Sequence, residues 1–252
     1  MENKICKIVK NEKLGNFHYL LEFENNFNED FYPGNFVHIK IENNFLRRPF
    51  SVCKFNKNSI IIIYKVVGEG TEKLSKKKKG EYIDVLAPCG NSFPIFKNKK
   101  IAIIGGGTGI APLIFLAEKL KKYKNEIDFF YGAKSKEIIF FNILPVGINY
   151  IFSTEDGSFG KKGIIFDVFK NFFKDIKKNY DIIYASGPEE LLKKISLFSN
   201  KIPVFISLER YMACGMGLCY GCVVKIRQNS DWRYKRVCKD GPVFNAREVI
   251  WD

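Results

Sequence analysis

Lys100-Ile-Ala-Ile-Ile-Gly-Gly-Gly-Thr-Gly-Ile-Ala-Pro112 reads as a strand, a glycine turn and the opening of a helix. Ile101–Ile104 has the length of a buried strand, and the apolar spacing over Ala111–Tyr123 is helical. Pro112 falls in the first helical turn, where its missing N–H costs nothing. Glycines between a strand and a helix let a pyrophosphate approach the backbone at the positive end of the helix dipole. Position 110 is Ile, so the stretch is not the G-x-G-x-x-G dinucleotide fingerprint. A plain strand–helix turn is the alternative, and the strand-before, helix-after context favours dinucleotide or phosphate binding.

Working outward, strand patterns at Ile127–Tyr131, Tyr150–Ser153, Asp181–Ala185 and Val204–Leu208 alternate with helical patterns at Ile164–Phe173 and Glu189–Leu197. That rhythm predicts a doubly wound parallel sheet over residues 98–208. Tyr184-Ala-Ser-Gly-Pro-Glu189 sits at the carboxyl end of one of its strands, where ligands bind in open α/β sheets. Upstream, Phe17–Phe23 and Asn35–Ile41 alternate and Ser59–Val67 is β-branched, punctuated by Pro33-Gly34, Gly68-Glu-Gly70 and Pro88-Cys-Gly90. Short strands at this spacing predict an antiparallel barrel over residues 1–97. Residues 209–252 read as a cysteine-bearing, irregular third segment. The expected class is therefore a multidomain α+β chain, without internal repeats.

The chain has 252 residues, 46% of them hydrophobic, which is enough to bury a core. Its formal charge of +14 invites a nucleic-acid reading. The lysines are scattered, however, and no recognition motif accompanies them, so no nucleic-acid partner is expected. The one run, Lys76–Lys79, precedes Gly80 and reads as a solvated turn. No apolar stretch has membrane-span length, and the charged opening Met1–Lys7 does not resemble a signal peptide. Seven cysteines in such a chain read as ligands and thiols rather than disulfides, and a cytoplasmic location follows.

Cys214, Cys219 and Cys222 form a C-x4-C-x2-C run, with a fourth cysteine at Cys238. This is plant-type [2Fe–2S] spacing. Gly215, Gly217 and Gly221 lie where a backbone wrapped around a cluster needs room or positive φ. Structural zinc is the alternative, but zinc motifs pair one C-x2-4-C with another, and only the single Cys238 is present here. Arg210, Lys225, Arg227, Arg233, Lys235, Arg236 and Lys239 crowd this segment. They are either solvated charges or cations that raise a cluster's potential and dock an acidic partner.

Two barrel motifs complete the set. In Leu46-Arg-Arg-Pro-Phe-Ser-Val52 a guanidinium offers a fork to phosphate and Ser51 can meet a flavin edge; a plain strand edge is the alternative. In Ile63-Tyr-Lys-Val-Val-Gly-Glu-Gly-Thr71, Tyr64 is either a stacking surface or a core aromatic, and Gly70-Thr71 offers N–H groups to phosphate.

The order R-P-F-S, Gly-Thr, G-G-G-T-G-I-A-P, S-G-P-E resembles the ferredoxin–NADP reductase superfamily. With C-G-M-G-L-C-Y-G-C and the Val237–Phe244 stretch V-C-K-D-G-P-V-F, the whole chain resembles electron-transfer subunits of B-type, NAD-dependent dihydroorotate dehydrogenase. The resemblance implies that Arg48, Pro49, Phe50, Ser51, Ile63, Tyr64, Lys65, Gly70 and Thr71 hold FAD. It implies that Gly107, Thr108, Gly109, Ile110, Ala111, Pro112, Ser186, Gly187 and Pro188 face NAD(H). It makes Cys214, Cys219, Cys222 and Cys238 the ligands of a [2Fe–2S] cluster.

The implied partner is an FMN-containing dihydroorotate dehydrogenase catalytic subunit of pyrimidine biosynthesis, in a heterotetramer with two of each. The implied activity alone is that of an NADH diaphorase. A flavin/iron–sulfur subunit of a sulfur reductase, hydrogenase or ferredoxin-dependent enzyme, and a zinc-bearing binding module, are the alternatives. Relatives usually carry Cys where this chain has Ser186, and the Ser153–Ser158 segment also resembles the family's. Cys6, Cys53 and Cys89 read as buried thiols, and His18 and His38, both in strand patterns, as structural. No general acid or base stands out.

Overall fold

The computed structural model describes residues 1–175, 179–198 and 202–251. Strands β1 (Glu2–Gly15), β2 (His18–Glu24), β3 (Phe36–Lys40), β4 (Arg48–Phe55), β5 (Ser59–Lys65) and β6 (Tyr82–Cys89) close an antiparallel barrel in the order β1-β2-β5-β4-β3-β6. Closure leaves no unpaired edge. The inward side chains, among them Cys6, Leu21, Val37, Ile39, Val52, Ile60, Ile62 and Val85, form one buried cluster. On β6 the alternation is complete, with Ile83, Val85, Ala87 and Cys89 buried and the residues between them partly exposed or exposed.

Helix α1 (Glu69–Lys76) departs from the sequence reading, which takes Gly68-Glu-Gly70 and Lys76–Lys79 as turns. The glycines hide the helix start. Behind them Glu69–Lys73 and Glu72–Lys76 pair one turn apart, and Leu74 anchors the inner face. The lysine run is thus divided: Lys76 ends the helix, Lys77 pairs with Glu42 at 3.0 Å, and only Lys79-Gly80 is turn.

The second half comprises β7 (Lys100–Gly106), α2 (Ala111–Lys121), β8 (Glu126–Ala133), β9 (Asn149–Thr154), β10 (Lys161–Lys162), α3 (Ile165–Asp175), β11 (Ile182–Ser186), α4 (Glu189–Phe198) and β12 (Val204–Ser207). The tail adds a hairpin, β13 (Val223–Gln228) with β14 (Asp231–Arg236), and a last strand, β15 (Val243–Asn245). The large sheet runs β10-β9-β8-β7-β11-β12-β15, parallel throughout except for β15. Its two faces follow from strand alternation. Ile101 and Ile103 pack under α2, whereas Ala102 and Ile104 pack under α3 and α4. The sheet is doubly wound, and its order reverses between β7 and β11.

The tail is not irregular. Val224, Ile226, Val237, Phe244 and Val249 join the same buried cluster as α3 and α4, and β15 completes the sheet edge. Interleaved charges (Lys225, Arg227) conceal this alternation in the sequence. Helix α2 ties the sheet to the barrel: Phe115 enters the barrel's cluster and Glu118 pairs with Lys54 at 2.9 Å.

A buried polar triad steadies the sheet. Asp128, 1% exposed, accepts hydrogen bonds from Tyr180 Oη at 2.6 Å and Asn149 Nδ2 at 2.7 Å. Tyr180→Phe leaves one carboxylate oxygen without that donor. We expect it to lower the unfolding free energy by about 1–3 kcal/mol, measured by urea denaturation.

Candidate functional site

The four tail cysteines converge because the backbone folds back over them. Gly215 (φ +67°) and Gly217 (φ +80°) take left-handed conformations. A Cβ on Gly215 would come within 2.2 Å of His38 Nδ1, and one on Gly217 within 2.5 Å of Lys239. The loop so shaped aims its N–H groups at sulfur. Met216 and Leu218 donate to Cys214 Sγ at 3.4 Å, Gly221 to Cys219 Sγ at 3.5 Å, and Cys238 to Cys222 Sγ at 3.4 Å.

The thiols meet as two pairs, Cys214 with Cys219 and Cys222 with Cys238. Among the described residues, no three His, Cys, Asp or Glu side chains gather closely enough for a single metal ion. Two thiol pairs match the donor number and type that an all-cysteine diiron cluster requires. Burial pushes the Cys214 thiol up, but donation from backbone N–H groups, that of Cys219 first, brings it down to about 6. Burial and the adjoining Cys222 push Cys238 up to about 12. The donor set therefore fits a cluster that takes thiolates and is stabilised by N–H donors.

Two side chains hold the loop in place. Arg236 donates to Gly217 O at 2.9 Å and to the Asp240 carboxylate, with its guanidinium 4.9 Å from the centre of the Tyr220 ring. Asn91, just beyond β6, closes on Asp240-Gly-Pro-Val243. It donates to Asp240 O at 3.1 Å and Val243 O at 2.9 Å, and it accepts from Val243 N at 2.9 Å. Arg236 is thus a staple whose charge Asp240 offsets, and Arg210 is likewise paired with Glu189. Neither is an uncompensated cation beside the cysteines.

On the barrel, Arg48, Pro49, Phe50 and Ser51 lie half-buried along the first half of β4. The Arg48 side chain reaches the start of α1, where a Cβ on Gly70 would sit 3.4 Å from its Nε. The first-turn N–H groups there have no partner within the helix. Thr71 Oγ1 accepts from Val67 N and Gly68 N and donates to Gly68 O, so its hydroxyl is committed to shaping the helix start. Tyr64 is buried, donates to Asn11 Oδ1 at 3.0 Å, and stacks on Tyr19 at 5.5 Å with the Phe50 ring edge-on. Burial raises its hydroxyl pKa. Ile63 is buried beside it, whereas Lys65 is exposed.

The sheet brings its two glycine-bearing loops together at the β7/β11 reversal. Ser186 pairs with Gly105, and a Cβ on Gly109 would stand 2.5 Å from Gly187 Cα, so the two backbones touch. Gly107 (φ +56°) faces open space, and Thr108 beside it is half-buried. Ile110, Ala111 and Pro112 are buried at the α2 start, Ser186 and Gly187 are buried, and Pro188 is exposed. The residues grouped by sequence motif thus divide into open backbone (Gly107, Thr108) and packed support (Gly109–Pro112).

Residues 209–250 match a family model described as the iron-sulfur cluster binding domain of dihydroorotate dehydrogenase B. The chain is 39% identical over 249 residues, 98% of each chain, to the dihydroorotate dehydrogenase B (NAD(+)) electron transfer subunit of Caldanaerobacter subterraneus subsp. tengcongensis. It is 40% identical over 228 residues, 86% of each, to the protein of that name from a Geobacillus species. The chain belongs to the dihydroorotate dehydrogenase B electron transfer subunit family. Among solved structures, that of an NADH-dependent reduced ferredoxin–NADP oxidoreductase superposes with a TM-score of 0.88 at 30% identity, over 98% of this chain and 90% of that one. A ferredoxin reductase of carbazole 1,9a-dioxygenase shares the fold, with a TM-score of 0.72 at 18% identity over 81% of this chain and 68% of that one.

For this family member, motif reading alone does not find Asn91, His38 or the Arg236–Asp240 staple, because each acts through tertiary contact. The D-G-P-V-F stretch is the one local signal, since it is what Asn91 grips. Cys6, Cys53 and Cys89 are buried free thiols, as the sequence suggests. In Asn91→Ala, three backbone groups lose a partner. We expect a loss of about 1–3 kcal/mol in stability and faster release of iron under a chelator, followed by absorbance.

Proposed function

We infer that this chain binds FAD on its barrel, NAD(H) at the sheet reversal and a [2Fe–2S] cluster in its tail, over residues 1–97, 98–208 and 209–252. On this reading it passes electrons from an FMN-containing catalytic subunit, which oxidises dihydroorotate in pyrimidine biosynthesis, to NAD+. The paired thiols of Cys214/Cys219 and Cys222/Cys238 carry this conclusion, set beside the glycine loops and the Arg48–Gly70 corner. When bound, nicotinamide supplies two-electron hydride chemistry, a cluster one-electron chemistry, and flavin the exchange between them.

The chain's own work is binding and placement. Arg48 and the α1 N-terminus offer a guanidinium fork and N–H donors to a pyrophosphate. Gly107 lets a second pyrophosphate approach the backbone ahead of α2, which Ile110–Pro112 hold rigid. Ser186 ends β11 at the same sheet reversal, buried and paired with Gly105 of β7. The loop N–H groups donate to the sulfurs of Cys214, Cys219 and Cys222, and at Cys214 they bring the thiol pKa down. All seven cysteines are free, which fits a reducing, cytoplasmic compartment. Among the described residues no helix is long and apolar enough to cross a membrane.

The likeness to the reduced ferredoxin–NADP oxidoreductase favours a second reading, a flavin/iron–sulfur subunit serving a ferredoxin-dependent partner. The partner that co-purifies separates the two. A 2:2 complex with an FMN protein that converts dihydroorotate to orotate supports the first, and a ferredoxin-linked partner the second.

The deciding measurement is the absorbance of anaerobically purified chain with iron, sulfide and flavin assays. We expect one FAD, two irons and bleaching by NADH; zinc in place of iron, or no flavin, overturns the reading. In Arg48→Ala the Kd for FAD should rise at least tenfold, from loss of about 1.5–3 kcal/mol of charged hydrogen bonding. In Gly109→Ala the new Cβ pushes against Gly187. The diaphorase KM for NADH should then rise about tenfold, from about 1–3 kcal/mol of overpacking, with FAD content unchanged.

A further inference from the structure

His38 lies on the outer face of β3, where Val37 and Ile39 point into the barrel and Phe36 and His38 point away from it. An outward barrel position is ordinarily wet, yet His38 is 0% exposed because the cysteine loop covers it. Neither ring nitrogen has a hydrogen-bond partner within the chain. Such burial is costly unless a partner is supplied. The ring is aimed: Nδ1 faces Gly215, the residue after Cys214, so closely that only glycine fits there.

In either protonation state the imidazole carries at least one N–H donor. Thiolate and sulfide sulfurs only accept. On the other side, His38 pairs across the ladder with Pro49 of the R-P-F-S strand. The same residue thus touches the cysteine loop and the strand proposed to hold flavin.

We propose that His38 donates its Nδ1–H to a sulfur at the Cys214 end of the cluster, raising the cluster's reduction potential and tying the loop to the flavin strand. A donor to a cluster sulfur offsets the negative charge gained on reduction, and the potential rises accordingly. The proposal rests on the cluster reading above.

The sequence has only two histidines, so the wild-type chain tests it directly. His18, the other one, sits on β2 against the Phe140 ring. Full-length protein labelled with 15N-histidine, assayed for two irons and two sulfides and then reduced, is examined by pulsed EPR. A 15N coupling to the reduced cluster that persists in His18→Gln and vanishes in His38→Phe is the expected result. The midpoint potential should fall in His38→Phe and return toward wild type in His38→Asn, whose amide N–H can occupy the Nδ1 position. A fully loaded wild-type cluster with no histidine 15N coupling overturns the proposal even if His38→Phe fails to fold. Absence of iron and sulfide instead overturns the cluster reading on which it rests.

Discussion

The carboxamide of Asn91 is the point at which the chain's three parts meet. It stands at the exit of the barrel and saturates the backbone of residues 240–243, which also hold β15 in register on β12. Leu208, the last residue before the cysteine loop, donates to Pro242 O of the same turn at 2.9 Å. Barrel, sheet and cysteine segment therefore share one small polar knot. A single side chain can do this because an amide offers donor and acceptor at fixed separation, matching the two edges of a peptide.

Around that knot the two large units contribute complementary walls. The barrel presents β4 and the start of α1, and the sheet presents the carboxyl ends of β7 and β11. Helix α2 belongs to both, since its glycine-rich start shapes the sheet's loop and its Phe115 sits among the barrel's core residues. Movement between the barrel and the sheet is therefore resisted by a packed helix rather than left to a linker. Electron and hydride transfer both demand such fixed spacing.

Much of this was legible in the sequence, and the exceptions have a common cause. The central strands of the parallel sheet were readable from short, largely apolar runs, because burial on both faces favours apolar residues, with the hydrogen-bonded Asp128 of β8 the buried exception. The C-x4-C-x2-C run was readable because three of its cysteines are local. Its pairing was not, since Cys238 joins Cys222 only after the β13–β14 hairpin returns. Helix α1 escaped because glycines at its start mimic a turn, and the tail strands because Lys and Arg alternate with their buried residues. His38 reads as an ordinary strand residue until the loop laid over it is known. Charge was misleading in a similar way: Arg236 looks like a free cation in sequence, and Asp240 four residues on answers it.

The antiparallel pairing of β15 with β12 means that the sheet's outer edge is supplied by the segment that follows the cysteine loop. Residues up to Leu208 account for the barrel and six strands of the sheet; the neighbour of β12 and the residues Val224, Ile226 and Phe244 that cover the α3–α4 face all come from beyond it. The cysteine loop is enclosed between Leu208 and that returning strand. The segment that carries the cysteines and the segment that closes the core are consequently one structural unit, and the tail is a keystone rather than an appendage.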